Sequence, residues 1–176
     1  MLSLTMEVNC YLTSLSKMVV DEALEKVFLY PAAINVSVRP VCIATLLGTC
    51  IAVCLWDVKT KIGGMNHYLL PLWNGEGLAS PKYGNIAIER LIEKMEHMGA
   101  EKRNMVAKVF GGRTSTESGT VAYNIGLRNA HIARQMLVDY SIPMVAENVG
   151  GEFGMNIRFD TSNGIVKLKY IGGYPK

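Results

Sequence analysis

The middle of the chain alternates short apolar runs with turn-forming residues, a pattern typical of β-strands. Val36–Leu47 is rich in β-branched and apolar residues, and Ile51–Trp56 and Ile62–Leu70 follow as two further strand-like runs. Asp57–Thr60 has the polar composition of a hairpin turn between the last two runs. Pro71 lacks the N–H that a continuing strand would donate, so it ends the third run.

Two later stretches carry apolar residues at helical spacing. Ser80 and Pro81 are typical of the start of the first helix, and Gly99 of its end. The second helix is predicted to begin near Asn124 and to end before Pro143. The predicted buried faces are Ile88, Leu91, Ile92 and Met95 in the first helix and Ala130, Ala133, Leu137 and Tyr140 in the second. Further strands are expected at Met105–Phe110, Met144–Val149, Phe153–Phe159 and Ile165–Ile171, with a turn at Thr161–Gly164.

Most of these strands are not separated by helices, which disfavours a doubly wound parallel sheet. The pattern instead predicts an α+β fold, a layered α/β sandwich with mixed or antiparallel strands and two main helices. Residues 1–25 are interpreted as an N-terminal extension with a helix near Leu15–Val27, and residues 26–176 as one domain. A chain of 176 residues is long enough to cover a single core.

Charge and cysteine usage narrow the function classes. The net charge is +3 and the basic residues are scattered, whereas a nucleic-acid-binding protein usually carries a basic stripe. No charge lies between Arg39 and Asp57, but Pro40 and Gly48 interrupt this run, which favours buried strands over a membrane helix. The four cysteines lack zinc-finger spacing and the N-terminus lacks an export signal, so we expect reduced thiols in a cytoplasmic protein.

The predicted hairpin brings a cysteine and a histidine together. A turn centred between Val58 and Lys59 would place Cys50 directly opposite His67, provided that Gly63 and Gly64 introduce no bulge. A neighbouring imidazolium lowers the pKa of a thiol and returns a proton to the leaving group. Backbone amides around Cys50 are the expected donors to an oxyanion.

The other cysteines and histidines have ordinary structural interpretations. A cysteine in an apolar run is usually a small buried hydrophobic residue, and this is the interpretation of Cys10, Cys42 and Cys54. The histidines of the two helices, His97 and His131, are interpreted as surface residues.

Several sequence blocks resemble the CheD family, the bacterial and archaeal chemoreceptor glutamine deamidases. The blocks are Leu47–Val53, Gly64–Pro71, Lys82–Tyr83, Lys108–Gly112, Asn124–Asn129 and Glu147–Gly151. The resemblance runs from about residue 26 to residue 171, in order. It implies a layered α/β fold distantly like that of bacterial deamidating toxins.

The resemblance also implies an activity. Members hydrolyse the side-chain amide of particular receptor glutamines through a cysteine thioester, and no metal or cofactor takes part. Carried over to this chain, Cys50 is the nucleophile and His67 the general base. The implied partners are the cytoplasmic domains of chemoreceptors and a CheC-type phosphatase, with no nucleic acid and no insertion into a membrane.

One position departs from the family pattern. The family threonine that is thought to complete the triad corresponds to Ala44, and Thr45 is adjacent. A shift of one residue in a strand turns a side chain to the other face, unless a bulge between Thr45 and Cys50 restores it. Thr45 is therefore a candidate for the third catalytic residue, and an ordinary strand residue is the alternative.

Two other functions fit the same residues. A docking protein that binds receptors or a phosphatase with little chemistry is favoured by Ala44. A thiol protease or transglutaminase uses similar cysteine–histidine chemistry.

Overall fold

The computed structural model describes residues 6–8, 24–114 and 124–173, which form two five-stranded sheets and two long helices. The strands are β1 (Met6–Val8), β2 (Glu25–Phe28), β3 (Ile34–Ser37), β4 (Val41–Leu47), β5 (Ile51–Asp57), β6 (Gly63–Asn66), β7 (Met105–Gly111), β8 (Met144–Val149), β9 (Gly154–Asp160) and β10 (Val166–Ile171). The helices are α1 (Gly84–His97) and α2 (Ile125–Asp139).

The two sheets are stacked, and both helices cover one side of the stack. The outer sheet has the strand order β1-β10-β9-β4-β2, and the central sheet has the order β3-β6-β5-β7-β8. All pairs are antiparallel except β2 with β4 and β7 with β8. One apolar core joins the central sheet to the helices, and a second fills the space between the sheets. The predicted α+β layered class is confirmed.

The position of β5 explains the long uncharged run in the sequence. Successive side chains of a strand point to opposite faces. Ile51 and Val53 therefore pack towards the helices, and Ala52 and Cys54 pack towards the outer sheet. A strand buried on both faces needs a continuous apolar sequence. No helix in the described part of the chain is long and apolar enough to cross a membrane.

Both predicted helices are present, and the predicted start of the first is wrong. α1 buries the four apolar residues expected from the spacing, and Gly99 follows it with a φ of +100°. Ser80 does not cap it: Tyr83 donates its N–H to the Ser80 carbonyl, so the chain makes a turn before the helix begins at Gly84. The predicted cap of α2 is confirmed, since the Asn124 side chain accepts the N–H of Leu127.

Other predicted boundaries need correction. Val36–Leu47 forms parts of two strands in different sheets, because the Ser37 hydroxyl closes a turn onto Arg39 just before Pro40. The third predicted strand ends its regular pairing at Asn66 and continues only as isolated bridges.

The predicted N-terminal helix is wrong at its end, where Glu25–Phe28 forms β2. Residues 15–23 lie outside the described residues. The domain boundary at residue 25 stays a prediction; Met6–Val8 pairs with β10 in the outer sheet.

Candidate active site

Cys50, His67 and Thr45 meet at one end of the space between the two sheets. On β4, Ile43 and Leu47 face the inter-sheet core, and alternation places Thr45 on the same face. Ile51 and Tyr68 face the helices, so their neighbours Cys50 and His67 face the outer sheet. Thr45 lies on β4, Cys50 directly precedes β5, and His67 directly follows β6.

The predicted pairing of Cys50 with His67 is wrong by two residues. Ile51 pairs with Tyr68 and Cys54 with Met65, so Ala52 lies opposite His67 and Cys50 is its diagonal neighbour. Diagonal neighbours in a sheet have Cβ atoms roughly 7–8 Å apart, and the thiol of Cys50 makes no hydrogen bond to Nε2 of His67 at rest. A shift of two residues keeps both side chains on one face.

The register differs because the loop is longer than a two-residue turn. Asp57 donates its N–H to the Ile62 carbonyl, and its carboxylate accepts the N–H groups of Lys59 and Thr60. Lys61 adopts a φ of +63° to close the loop. The bulge considered at the two glycines is not formed, since Gly63 and Gly64 pair in register with Trp56 and Leu55.

The backbone around His67 is fixed by the strand on its other side. The His67 N–H donates to the Ala33 carbonyl at 3.1 Å, and its carbonyl accepts the N–H of Ala32 at 2.8 Å. On the side of β5, the Asn66 side chain accepts the N–H of Val53 at 2.9 Å. The histidine therefore lies on a backbone that is bonded on both sides.

A hydrogen-bond chain sets the tautomer of His67. Thr45 Oγ1 lies 2.7 Å from the Leu29 carbonyl oxygen and 2.8 Å from His67 Nδ1. A carbonyl oxygen only accepts, so the single hydroxyl proton of Thr45 is donated to Leu29. Thr45 must then accept a proton from His67, which places the imidazole proton on Nδ1. Nε2 is left with a free lone pair.

His67 is neutral at pH 7. Burial lowers the pKa of its imidazole to about 4, against a smaller opposing effect of the Leu29 carbonyl. Thr45 is uncharged, so it adds no carboxylate that would stabilise an imidazolium. Nε2 is buried and has no hydrogen-bond partner among the described residues. An unpaired buried acceptor on a neutral imidazole is a base in the correct protonation state.

Cys50 is the most accessible of the three cysteines in the described ranges. It is half-buried, whereas Cys42 and Cys54 are buried; Cys10 lies outside those ranges. Burial raises the pKa of the Cys50 thiol, and the N–H of Cys50 and the hydroxyl of Thr49 oppose this rise. At rest the site thus holds a protonated thiol and a neutral imidazole that lie on the same face without a hydrogen bond between them. The ion pair with a lowered thiol pKa expected from the sequence is not what this site holds.

Thr45, and not Ala44, lies on the face of β4 that carries the bond to His67. Thr45 is 1% exposed and bonds to His67, whereas Ala44 lies on the opposite face of β4. The chain leaves the strand conformation at Gly48 and re-enters it at Ile51. Strand alternation therefore does not continue through residues 48–50. The number of residues between Cys50 and a position on β4 does not predict which face of β4 that side chain occupies.

The turn that carries Cys50 is held against the connection between β7 and α2. The Gly48 carbonyl accepts the N–H of Arg113 at 2.8 Å, and the Cys50 carbonyl accepts the N–H of Gly112 at 2.7 Å. A Cβ atom on Gly111 would clash with the Cys50 carbonyl oxygen. Gly111 and Gly112 therefore allow a close backbone contact with the turn that carries Cys50.

Sequence reasoning assigned no structural role to Asn129. The residue is 0% exposed, and its side-chain amide donates to the carbonyls of Thr49 and Leu69. A signal was available, because Asn129 falls on the same helical stripe as Gly126, Ala130 and Ala133. His97 and His131 are exposed, as predicted.

A separate groove lies along α2 and contains none of the three candidate catalytic residues. Its volume is about 440 Å³, and it is lined by Pro71, Leu72, Leu127, Arg128, His131, Ile132 and Arg134. Across the described part of the chain, no group of three or more His, Cys, Asp or Glu side chains is placed to hold a metal ion.

Comparisons with known proteins place the chain among chemotaxis proteins. Residues 69–170 match the model of the CheD family, described as CheD chemotactic sensory transduction. A protein of Sulfurimonas denitrificans named "Probable chemoreceptor glutamine deamidase CheD" is 48% identical over 151 residues, which cover 84% of this chain and 95% of the relative. A protein of the same name from Trichlorobacter lovleyi is 48% identical over 145 residues, covering 82% of this chain and 90% of the relative.

The family model begins after the candidate catalytic residues, but the relatives extend over them. A stretch covering 84% of 176 residues includes positions 45, 50 and 67 wherever it is placed. The solved structure of the hypothetical protein YfiH of Bacillus licheniformis covers 77% of this chain and 60% of its own. Its TM-score of 0.44 at 12% identity does not establish a shared fold. From the family model and the two relatives, the chain belongs to the CheD family.

Proposed function

We propose that this protein is a protein-glutamine deamidase that acts on chemoreceptors, with Cys50 as nucleophile, His67 as general base and Thr45 as the residue that orients His67. The observation that carries the proposal is the unpaired Nε2 of a neutral, Nδ1-protonated histidine on the same face as a half-exposed thiol. The names of the CheD relatives supply the substrate class, a glutamine of a chemoreceptor.

The first half of the reaction forms a thioester. Nε2 of His67 removes the thiol proton while Sγ of Cys50 attacks the carboxamide carbon, and the carbonyl π electrons move to oxygen. The tetrahedral intermediate then collapses and its C–N bond breaks. The imidazolium gives its proton to the departing nitrogen, which leaves as ammonia.

The second half regenerates the enzyme. His67, neutral again, removes a proton from water while the water oxygen attacks the thioester carbon. The C–S bond breaks, the product is a glutamate side chain, and the proton on the imidazole returns to the Cys50 sulfur. Thr45 keeps its acceptor oxygen on Nδ1 throughout, so the lone pair of Nε2 stays directed towards the reaction.

The resting protonation states suit a base-assisted attack. A histidine with a pKa of about 4 is almost fully deprotonated at pH 7, so nearly every molecule is ready to accept the thiol proton. The raised pKa of Cys50 makes that acceptor necessary, since the thiol does not ionise by itself at this pH.

The partners and the compartment are part of the same proposal. Within the proposed function, the protein meets the cytoplasmic domain of a chemoreceptor, and it binds a CheC-type phosphatase that controls its availability. Both contacts place it in the cytoplasm. The hydrogen bond between Thr45 and His67 supports the enzyme over the docking-only function, which the Ala44 departure favoured.

The experiment is a deamidation assay on the cytoplasmic fragment of a chemoreceptor from the same organism. Ammonia release and intact mass are followed for wild type, Cys50→Ala and Cys54→Ala. We expect wild type and Cys54→Ala to convert glutamine to glutamate, and Cys50→Ala to lose at least about a thousandfold in rate. Cys54 is the matched control because it lies on β5 facing the same side, but fully buried.

Two outcomes would contradict the proposal. Binding of the receptor fragment without conversion by any of the three proteins would make this a docking protein. Incorporation of an added amine in place of water would make it a transglutaminase.

A further inference from the structure

A buried amide on α2 connects the segments that carry the proposed nucleophile and base. Asn129 Nδ2 donates to the Thr49 carbonyl at 3.0 Å and to the Leu69 carbonyl at 2.9 Å. Thr49 directly precedes Cys50, and Leu69 follows His67 by two residues. Tyr68 donates its hydroxyl to the Asn129 main-chain carbonyl at 2.6 Å, which adds a second link between the helix and the base strand.

The side chain of Asn129 carries an energetic penalty, which points to a functional role for its hydrogen bonds. Asn129 is 0% exposed, and its Oδ1 has no hydrogen-bond partner among the described residues. A buried unpaired acceptor costs free energy that an apolar side chain of similar size would not cost. The benefit must therefore come from the two bonds that Nδ2 donates.

The bond to Thr49 determines the direction of an N–H group at the reaction centre. The peptide between Thr49 and Cys50 is planar and trans, so its carbonyl and its N–H point in opposite directions. When Asn129 holds the carbonyl towards α2, the N–H of Cys50 is directed away from α2. That N–H has no acceptor among the described residues other than the sulfur of Cys50 itself.

We propose that Asn129 is a positioning residue for the deamidation reaction, which fixes the Thr49–Cys50 peptide so that the N–H of Cys50 stabilises the oxyanion. The inference rests on the proposed function. The flanking carbonyls of Gly48 and Cys50 are held by Arg113 and Gly112, so the whole turn is prevented from rotating. An N–H that is directed before substrate arrives needs no reorganisation in the transition state.

The experiment compares two reactions of the same sulfur. Deamidation creates an oxyanion, whereas alkylation of Cys50 by iodoacetamide displaces iodide and creates none. We expect Asn129→Ala and the isosteric Asn129→Asp to lower kcat for deamidation by about a hundredfold, the effect of losing one oxyanion donor. KM and the alkylation rate of Cys50 should change less than about threefold.

The matched control is Asn124→Ala. Asn124 caps the first turn of the same helix by accepting the N–H of Leu127, and the Thr49 carbonyl is held by Asn129, so the loss of the cap weakens α2 and keeps the Asn129 bond to Thr49. Melting temperatures are recorded for all variants. We expect Asn124→Ala to lower the melting temperature and to keep kcat within about threefold of wild type.

The results separate the two proposals. An unchanged kcat in both Asn129 variants, an equal loss in Asn124→Ala, or a parallel loss of alkylation would overturn the role of Asn129 and leave the deamidase intact. Wild type that is alkylated at Cys50 but releases no ammonia would overturn the proposed function, and the role of Asn129 with it.

Discussion

The space between the two sheets is polar at both ends, and the ends differ in how completely their polar groups are paired. At the end near Trp56, which we call the closed end, Thr161 accepts the N–H of Val41 and donates its hydroxyl back to the Val41 carbonyl. Trp56 donates to the Thr161 carbonyl, and the buried Lys108 donates to the Gly164 carbonyl. At the other, open end, Thr45 is equally well bonded, but Nε2 of His67 has no partner among the described residues.

Packing follows the same division. A Cβ atom on Gly63, at the closed end, would lie 2.8 Å from Thr161, and one on Gly164 would lie 2.7 Å from Trp56. A Cβ atom on Gly48, at the open end, would meet nothing within 4 Å. Complete pairing and close packing therefore identify a structural polar cluster. The unpaired Nε2 of His67 at the open end is the group that we propose to react.

The largest expected effect comes from removing the unpaired acceptor. His67→Gln should lower kcat for deamidation by roughly a thousandfold, within the range of 10²–10⁴ typical of a general base. His97→Gln is the control, because His97 is exposed on α1. The measurement is ammonia release at saturating receptor fragment. A His67→Gln protein with more than about a tenth of wild-type kcat would show that the open end is not the reaction centre.

The next-largest effect is a change in the free energy of unfolding with pH. The folded-state pKa of His67 is about 4, below its ordinary value of 6.5, so between these pH values the unfolded chain binds a proton that the folded chain does not. The stabilisation that comes from keeping His67 neutral is therefore fully present above pH 6.5 and is lost as the pH drops towards 4. This loss lowers the free energy of unfolding by up to about 3 kcal/mol.

Denaturant unfolding of wild type and His67→Gln at pH 7, 6, 5 and 4 measures this difference. The variant lacks the titrating ring, so its free energy of unfolding should fall less over the same interval. Parallel curves for the two proteins would mean that His67 is not held neutral by the fold.

The two buried threonines form a matched pair for the third prediction. Thr45→Val leaves Nδ1–H of His67 without an acceptor, so we expect kcat to fall about tenfold to a hundredfold, a partial loss because only orientation is removed. Thr161→Val should leave kcat unchanged and lower the free energy of unfolding by about 1–3 kcal/mol, since it unpairs the N–H of Val41.

Thr45→Ser, which keeps the hydroxyl, should retain most of the activity. If Thr161→Val lowers kcat as much as Thr45→Val does, the two ends do not differ in function.

The smallest effects come from adding one methyl group at each end. Gly63→Ala must displace the Thr161 side chain, and we expect a loss of about 1–3 kcal/mol in the free energy of unfolding. Gly48→Ala has space and no positive φ, so its effect should stay below about 1 kcal/mol. Thermal or denaturant unfolding measures both. Equal losses would mean that the open end is as tightly packed as the closed one.

Much of the fold was predictable because local pattern and tertiary environment agree. β5 is apolar throughout and is buried on both faces, and the second helix carries its cap and its apolar stripe in the sequence. The division of Val36–Leu47 was not predictable in the same way. Both halves favour strands, and which sheet each half joins depends on partners far along the chain, β6 for one and β9 for the other.

The site was predictable in its residues and less so in its geometry. The shared face of Cys50 and His67 followed from strand alternation, and the register was wrong because the Asp57 side chain stabilises a longer loop. The orientation of Thr45 depends on the bend at Gly48, where alternation stops. Asn129 required the packing of α2 against the Cys50 turn, a contact between segments distant in the sequence.

The protonated resting state of Cys50 affects how fast its sulfur is oxidised under oxidative stress. Peroxide oxidises a thiolate to sulfenic acid far faster than it oxidises a thiol, and further oxidation is irreversible. Burial raises the pKa of the Cys50 thiol, and in the proposed mechanism His67 removes the thiol proton only during attack. The proposed nucleophile therefore spends nearly all of its time in the form that peroxide attacks slowly. Adaptation that depends on this sulfur would then persist in a cell whose low-pKa cysteine enzymes had already been inactivated.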